Sequence, residues 1–158
     1  MENILIVYLH GIGDHLLASP AIHALKQKFP DGQITLMTVK NDTYKDLWRY
    51  NKDVDRVIFS SFARQPRYGH PSFWFKDYWT LRQDIKEARQ QYGFTRTYVV
   101  IHYLLPAVLY SRLTFLRRYF LHKCFLVGQR LGVPLDHCDY VFTLSQKEKT
   151  WAEDYLKQ

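Results

Sequence analysis

The sequence predicts an α/β domain in which a mainly parallel sheet lies between two helical layers. Two observations carry this. Ile4 to Leu9 is a continuous apolar run ending in His10-Gly11-Ile12-Gly13, the pattern of a strand buried on both faces and followed by a tight turn. Apolar runs then alternate with segments of helical spacing in the order βαβαβ from Ile4 to Phe59, and the right-handed crossover rule makes such strands parallel. At 158 residues, 47% of them hydrophobic and 23% charged, the chain has the length of one domain and an ordinary globular balance. It is too short for a two-domain enzyme of usual proportions and too apolar for a disordered chain.

The elements follow in order. After the first turn, Leu16, Leu17, Ala21, Ala24 and Leu25 recur at helical spacing until Pro30-Asp31-Gly32 stops the helix. Ser19-Pro20 leaves two readings open: a helix that starts there with Ser19 as its cap, or one that starts at Asp14 and kinks at Pro20. Ile34 to Val39 reads as the second strand, Asn41 and Asp42 cap a short helix through Trp48 and Tyr50, and Val54 to Phe59 forms the third strand. The polar and aromatic loop from Ser60 to Phe75 is of a length more often functional than idle. A helix from about Lys76 to Gln91, a strand from Thr97 to Tyr103 and a helical region from about Tyr110 to Leu131, closed by Gly132-Val133-Pro134, continue a Rossmann-like, three-layer α/β/α pattern. Tyr140 to Leu144 is a candidate last strand. Ser145-Gln146-Lys147-Glu148 is a capping box that opens a final helix.

The formal charge is +7, from 22 Lys and Arg against 15 Asp and Glu. Between Ala88 and Leu135 there is no acidic residue, while Arg89, Arg96, Arg112, Arg117, Arg118, Lys123 and Arg130 all lie there. The excess therefore belongs to one stretch, which points to an anionic partner for that region. Cys124 and Cys138 are too few for a disulfide framework, and the chain reads as cytoplasmic with both thiols reduced. The N-terminus lacks the basic region and cleavage site of a signal peptide. The apolar run from Tyr98 to Tyr110, interrupted by His102 and Pro106, falls short of the roughly 20 residues of a spanning helix. Seven histidines without paired ligand spacing predict no metal site.

The densest chemical signal is Gly11-Ile12-Gly13-Asp14, where the first strand gives way to the first helix and where open α/β folds place ligands. A dinucleotide fingerprint would need a third glycine where Leu16 stands, and Asp14 would oppose a pyrophosphate. No P-loop sequence occurs. An acidic group at such a turn fits a residue that accepts a proton or hydrogen bond from a neutral hydroxyl. The plainer reading of Asp14 is a helix-terminal carboxylate favoured by the macrodipole, worth about 0.3 to 1 kcal/mol.

ILIVYLHGIGDHLLASPAIHALKQKFPDGQITLM resembles the opening of glycosyltransferase family 9, which contains the lipopolysaccharide heptosyltransferases. The shared features are an apolar strand, a small-x-Gly-Asp turn, Leu-Leu, a Thr/Ser-Pro-Ala step and a helix ending before Phe-Pro. Val54-Asp55-Arg56-Val57-Ile58, Leu131-Gly132-Val133-Pro134 and Phe142-Thr143-Leu144-Ser145 extend the resemblance. The sequence departs from the family at Tyr8, where some members carry Lys or Arg, and at Ile101-His102-Tyr103-Leu104, where Asp and a small polar turn are common.

The resemblance implies the N-terminal half of a GT-B glycosyltransferase: residues 1–144 as an acceptor-binding domain and 145–158 as the start of an interdomain or C-terminal helix. The nucleotide-sugar-binding second domain is absent from this chain, which is therefore expected to be inactive alone. The implied reaction is an inverting, metal-independent transfer of a sugar, typically heptose from ADP-heptose, to a lipopolysaccharide or related lipid-linked anionic saccharide. No other cofactor is implied. The family's catalytic Asp falls on Asp14, which would serve as general base.

Around that turn, Gly11, Gly13, His10 and His15 are the expected acceptor contacts, joined by Arg64, Arg67 and Arg82, whose guanidinium forks suit phosphate or carboxylate groups. Arg112, Arg117, Arg118 and Lys123, interleaved with Phe115, Tyr119, Phe120 and Phe125, fit a basic amphipathic helix on an anionic membrane surface, here the inner face of a bacterial inner membrane. The competing reading is a core-facing aromatic stripe with a charged outer face. The alternative function is a stand-alone basic module that binds an anionic membrane or nucleic acid without catalysis, although no nucleic-acid motif is present.

Overall fold

The computed structural model describes residues 1–63, 76–100, 123–141 and 144–156. Strands β1 (Asn3–Val7), β2 (Gln33–Thr38), β3 (Arg56–Phe59) and β4 (Arg96–Val99) form one sheet in the order β3-β2-β1-β4, and every pair is parallel. Ile4 lies opposite Ile34 on one side and Arg96 on the other, so β1 is central. Its alternation shows why the apolar run is continuous. Ile4, Ile6 and Tyr8 enter one core layer, and Leu5, Val7 and Leu9 enter the other.

Helix α1 (Ile12–Lys28) runs through Pro20, which excludes a helix that starts at Ser19. Proline has no N–H for the carbonyl of Leu16, four residues back. The Ser19 hydroxyl donates to that carbonyl instead, at 2.8 Å. The same oxygen accepts the backbone N–H of Val141 at 3.1 Å. Of the candidate strand Tyr140 to Leu144, residues 140, 141 and 144 are described and carry no strand, Val141 bonding to α1 instead, and Phe142 and Thr143 lie outside the described residues.

Helix α2 (Asp42–Trp48) starts where Asn41 caps it, its Oδ1 accepting the N–H of Thr43 at 2.9 Å. Helix α3 (Tyr78–Tyr92) ends at Gly93, whose φ of 64° lies in the left-handed region that closes helices. Asp55 anchors the entry to β3: its Oδ2 accepts the N–H of Ile34 at 2.7 Å and a proton of Lys26 Nζ at 3.0 Å. Val54 and Asp55 thus precede the strand that the sequence starts at Val54. The strand expected to reach Tyr103 is described only to Val99, with Val100 N–H bonding Val7 O at 3.0 Å beyond it. Residues 101–122 lie outside the described chain.

Of the helical region expected from Tyr110, helix α4 (Lys123–Leu131) is described. Cys124, Val127 and Leu131 are buried, and Val127 and Leu131 pack with Ala18, Ala21 and Ile22 of α1 over one sheet face. Leu81 and Ala88 of α3 cover the opposite face. The chain after α4 folds tightly back on it. A Cβ at Gly128 would stand 2.7 Å from Val133 O and 2.9 Å from Leu135 Cγ. This return brings Cys138 to Cys124, with Cα atoms 6.4 Å apart, and the two are joined as a disulfide. The expectation of two reduced thiols is corrected accordingly.

Helix α5 (Gln146–Leu156) carries the expected capping box: Glu148 N–H donates to Ser145 Oγ at 3.2 Å, and Ser145 N–H donates to Glu148 Oε2 at 2.7 Å. Hydrogen bonds from Ser145 hold the Glu148 carboxyl below its ordinary pKa. Among the described residues, no helix is long and apolar enough to cross a membrane.

Candidate active site

The strand order places a switch point at β1. The chain leaves the C-terminal end of β1 toward β2 and β3, then returns to place β4 on the other side of β1. The C-terminal end of the strand at such a switch point is the usual ligand position of open α/β sheets. Tyr8 to Asp14 occupies that position.

The turn is built mainly from backbone. Gly11 is the N-cap of α1 with extended dihedrals, φ −66° and ψ 162°, and its carbonyl accepts the N–H groups of Asp14 at 3.0 Å and His15 at 3.2 Å. The buried Tyr8 donates its hydroxyl to the Asp14 carbonyl at 3.0 Å. Asp14 thus sits in the first turn of α1, where the helix dipole favours a negative charge, with its side chain 19% exposed. Among the described residues, a Cβ at Gly13 would meet nothing within 4 Å beyond its own helix turn, so Gly13 presents an open surface beside Asp14. Neither the dihedrals nor the packing of the protein require glycine at Gly13.

His10 is 1% exposed and bridges the switch point, with Nε2 3.0 Å from the carbonyl oxygen of Val100 just beyond β4. A carbonyl only accepts, so Nε2 carries the proton. Nδ1 then faces Asp14, at 4.0 Å from Oδ2.

His15 behaves differently from the sequence expectation. It is fully buried, and both ring nitrogens are engaged within the protein: Trp48 Nε1–H donates to Nδ1 at 3.2 Å, and Nε2 lies 3.2 Å from Thr38 Oγ1. The rings of Tyr8 and Tyr44 pack on either side at 4.9 and 4.7 Å. Burial foremost, and then the neighbouring His10, lower its pKa to about 3, so it is neutral. His15 is thus buried beneath the turn with both ring nitrogens taken up within the protein. Burial, reinforced by the charge of Asp14, also pushes the Tyr44 phenol up.

Arg82 lies near the start of α3, at the sheet end that also carries Asp14. Its guanidinium stacks over the Trp79 ring at 5.6 Å and the Tyr78 ring at 5.9 Å. Arg64, Arg67, Arg112, Arg117 and Arg118 fall outside the described residues, and Lys123 is described only as the first residue of α4. The rest of α4 buries Cys124, Val127, Gly128 and Leu131 and exposes Gln129 and Arg130. Sequence reasoning missed Tyr8, Thr38 and Trp48 as the frame of the turn. The signal was present for Trp48, since a buried indole N–H needs an acceptor and none is local to α2.

No protein-family model matches the sequence, and no curated protein matches it. Solved structures do. The glycosyl transferase family 9 protein from Veillonella parvula DSM 2008 superposes with a TM-score of 0.59 at 15% identity, over 99% of this chain and 49% of that one. The E. coli ADP-heptose lps heptosyltransferase II gives 0.54 at 13% identity, over 99% of this chain and 50% of that one. The chain spans about half the length of the structures it matches. Its Rossmann-like parallel sheet matches the fold of these glycosyltransferases over that half.

Proposed function

We propose that this domain binds the acceptor of an inverting, heptosyltransferase-type glycosyltransferase and supplies Asp14 as the general base. The observation that carries this reading is the placement of Asp14: a partly exposed carboxylate at the C-terminal end of the central strand, in the first turn of α1, beside an open surface at Gly13. An acceptor hydroxyl reaching that surface attacks the anomeric carbon of a nucleotide-sugar. The new carbon–oxygen bond forms as the bond to the donor diphosphate breaks, the diphosphate leaves with the electron pair, and the hydroxyl proton passes to Asp14.

A helix N-terminus favours the ionised carboxylate at the expense of basicity. An oxocarbenium-like transition state tolerates a weak base, because the hydroxyl loses its proton late. The donor, ADP-heptose in this reading, is held by a second nucleotide-sugar-binding domain. Arg82, with Arg64 and Arg67, supplies guanidinium groups for a phosphorylated acceptor. The acid-free stretch carrying Arg112, Arg117, Arg118 and Lys123 suits the anionic surface of a membrane holding a lipid-linked saccharide.

The test is Asp14→Asn in a protein that joins this chain to its donor-binding half. Transfer is expected to be lost with the circular dichroism spectrum and melting temperature retained. Retained turnover would remove Asp14 from the reaction.

A further inference from the structure

We propose that the Cys124–Cys138 disulfide is a redox latch: a thiol reductant reaches it at Cys138, and opening it frees the chain around Val141 from α1 while the core stays folded. The two halves of the bridge differ in access. Cys124, in the first turn of α4, is fully buried, whereas Cys138 is partly exposed on the segment that returns over the helix. The half that meets solvent is the half that an attacking thiolate can strike. Where thiols are kept reduced, a bridge open to attack on one side is made and broken rather than permanent.

The return segment is fastened at its start, its middle and its end. The start stays with the core: Val133 is buried, its N–H bonds the Gly128 carbonyl at 2.9 Å, and Lys28 Nζ donates to the Gly132 carbonyl at 3.0 Å. The end reaches α1 and the chain after α2. There the Val141 N–H donates to Ser19 Oγ at 3.1 Å, and Asn51 Nδ2 donates to the Val141 carbonyl at 3.5 Å, the outer limit of a hydrogen bond. Cys138 is the covalent tie between the two. Around it Asp136, His137, Asp139 and Tyr140 are exposed, and the solvated His137–Asp139 pair at 3.2 Å adds little. Cutting the tie leaves α4 in place, because Val127 and Leu131 pack with Ala18, Ala21 and Ile22 without it. Helix α1 also stays whole, since Ser19 keeps its bond to the Leu16 carbonyl at 2.8 Å. The chain at Val141 is then held by reversible contacts, and the loop leading to it regains the freedom that the cross-link removed.

The exchange balances. A reductant thiolate attacks Cys138 Sγ, a new sulfur–sulfur bond forms as the Cys124–Cys138 bond breaks, and Cys124 leaves with the electron pair and takes a proton from water. A second thiolate, the other arm of a dithiol, attacks the reductant's own sulfur in the mixed disulfide and releases Cys138, which is protonated in turn. The protein gains two electrons and two protons, and the dithiol is left as its disulfide. Closure runs the same steps in reverse with a disulfide as oxidant, Cys138 making the first attack from the accessible side.

The experiment needs this chain, dithiothreitol and iodoacetamide. After oxidation with glutathione disulfide, neither cysteine should be alkylated in the folded chain. With dithiothreitol and no denaturant, peptide mass spectrometry should find Cys138 alkylated about tenfold faster than Cys124, because access decides which thiol reacts. In nitrogen-15 spectra the Val141 amide of the reduced chain should exchange its hydrogen about tenfold faster, with the amides of β1 and α1 unchanged. Free thiols in the oxidised chain, a bridge that opens only in denaturant, or equal alkylation of both cysteines overturns the proposal. So does a Val141 rate that stays fixed on reduction, or one that rises together with the whole core. Cys138→Ser should show the fast Val141 exchange without reductant and no response to dithiothreitol. Slow exchange in that variant counts against the latch, and so does a Cys138→Ser chain that fails to fold, since a latch opens without unfolding.

Discussion

Trp48 donates its indole N–H to Nδ1 of His15 at 3.2 Å, and this contact sets the tautomer of a fully buried histidine. An indole nitrogen cannot accept, so Nδ1 is unprotonated and the ring proton lies on Nε2, toward Thr38 Oγ1. Protonating Nδ1 breaks the bond to Trp48 and places a charge in the core.

The consequence is a defined acid sensitivity. His15 has a folded pKa of about 3, depressed by burial first, against about 6.5 in an unfolded chain. Between those values the unfolded state holds one more proton than the folded state. The stabilisation is therefore full above pH about 6.5 and is lost as pH falls toward about 3, with a slope of about 1.4 kcal/mol per pH unit. Urea denaturation at stepped pH should show this slope above the range where carboxylates titrate. His15→Gln should flatten it, and an unchanged slope in that variant would assign the sensitivity elsewhere.

The layered fold was legible because it is written in local periodicity. Ile4 to Leu9 reads as a doubly buried strand, and the alternation of its side chains between two core layers confirms why. Asp14 was legible for the same reason, as a charged residue at a strand-to-helix turn. His15 was not, because its neighbour in sequence is the exposed turn while its partners, Thr38 and Trp48, come from β2 and α2. The Val100 anchor of His10 is a backbone carbonyl and leaves no residue-type signature. The pairing of Cys124 with Cys138 depends on a tight return of the chain over Gly128, which spacing alone does not reveal.

Ser19 and Pro20 make a coupled pair. The hydroxyl stands in for the N–H that proline lacks and also satisfies Val141. Ser19→Ala should cost about 1 to 3 kcal/mol, the penalty for leaving partly buried polar groups without partners. In a Pro20→Ala background the backbone N–H can again bond the Leu16 carbonyl, so the same Ser19→Ala change should cost less. A double-mutant cycle by chemical denaturation measures the difference. Strict additivity would mean that the hydroxyl does not replace the missing N–H.

Gly128 should resist any side chain. A Cβ there would stand 2.7 Å from the backbone oxygen of Val133, which the Val133 N–H bond to the Gly128 carbonyl at 2.9 Å holds close. Backbone cannot swing aside as a side chain can. Gly128→Ala should destabilise the domain by about 1 to 3 kcal/mol despite alanine's better helix propensity. A melting temperature at or above that of the parent would show that the return loop yields.

Gly13 presents the opposite case, and the contrast tests what approaches the turn. Its φ is not positive, and among the described residues an added Cβ meets nothing within 4 Å beyond its own helix turn. Glycine within a helix costs about 0.5 to 1 kcal/mol relative to alanine, so Gly13→Ala should leave stability unchanged or raise it by up to that amount. If the acceptor approaches Asp14 across this surface, the added methyl projects into the acceptor's space. Transfer in a protein carrying the donor-binding half should then fall, with the loss appearing in KM for the acceptor and the KM for the donor retained. Thermal denaturation and steady-state kinetics on one variant read the two effects separately. A Gly13→Ala protein that is stable and kinetically indistinguishable from the parent would place the acceptor elsewhere on the sheet edge.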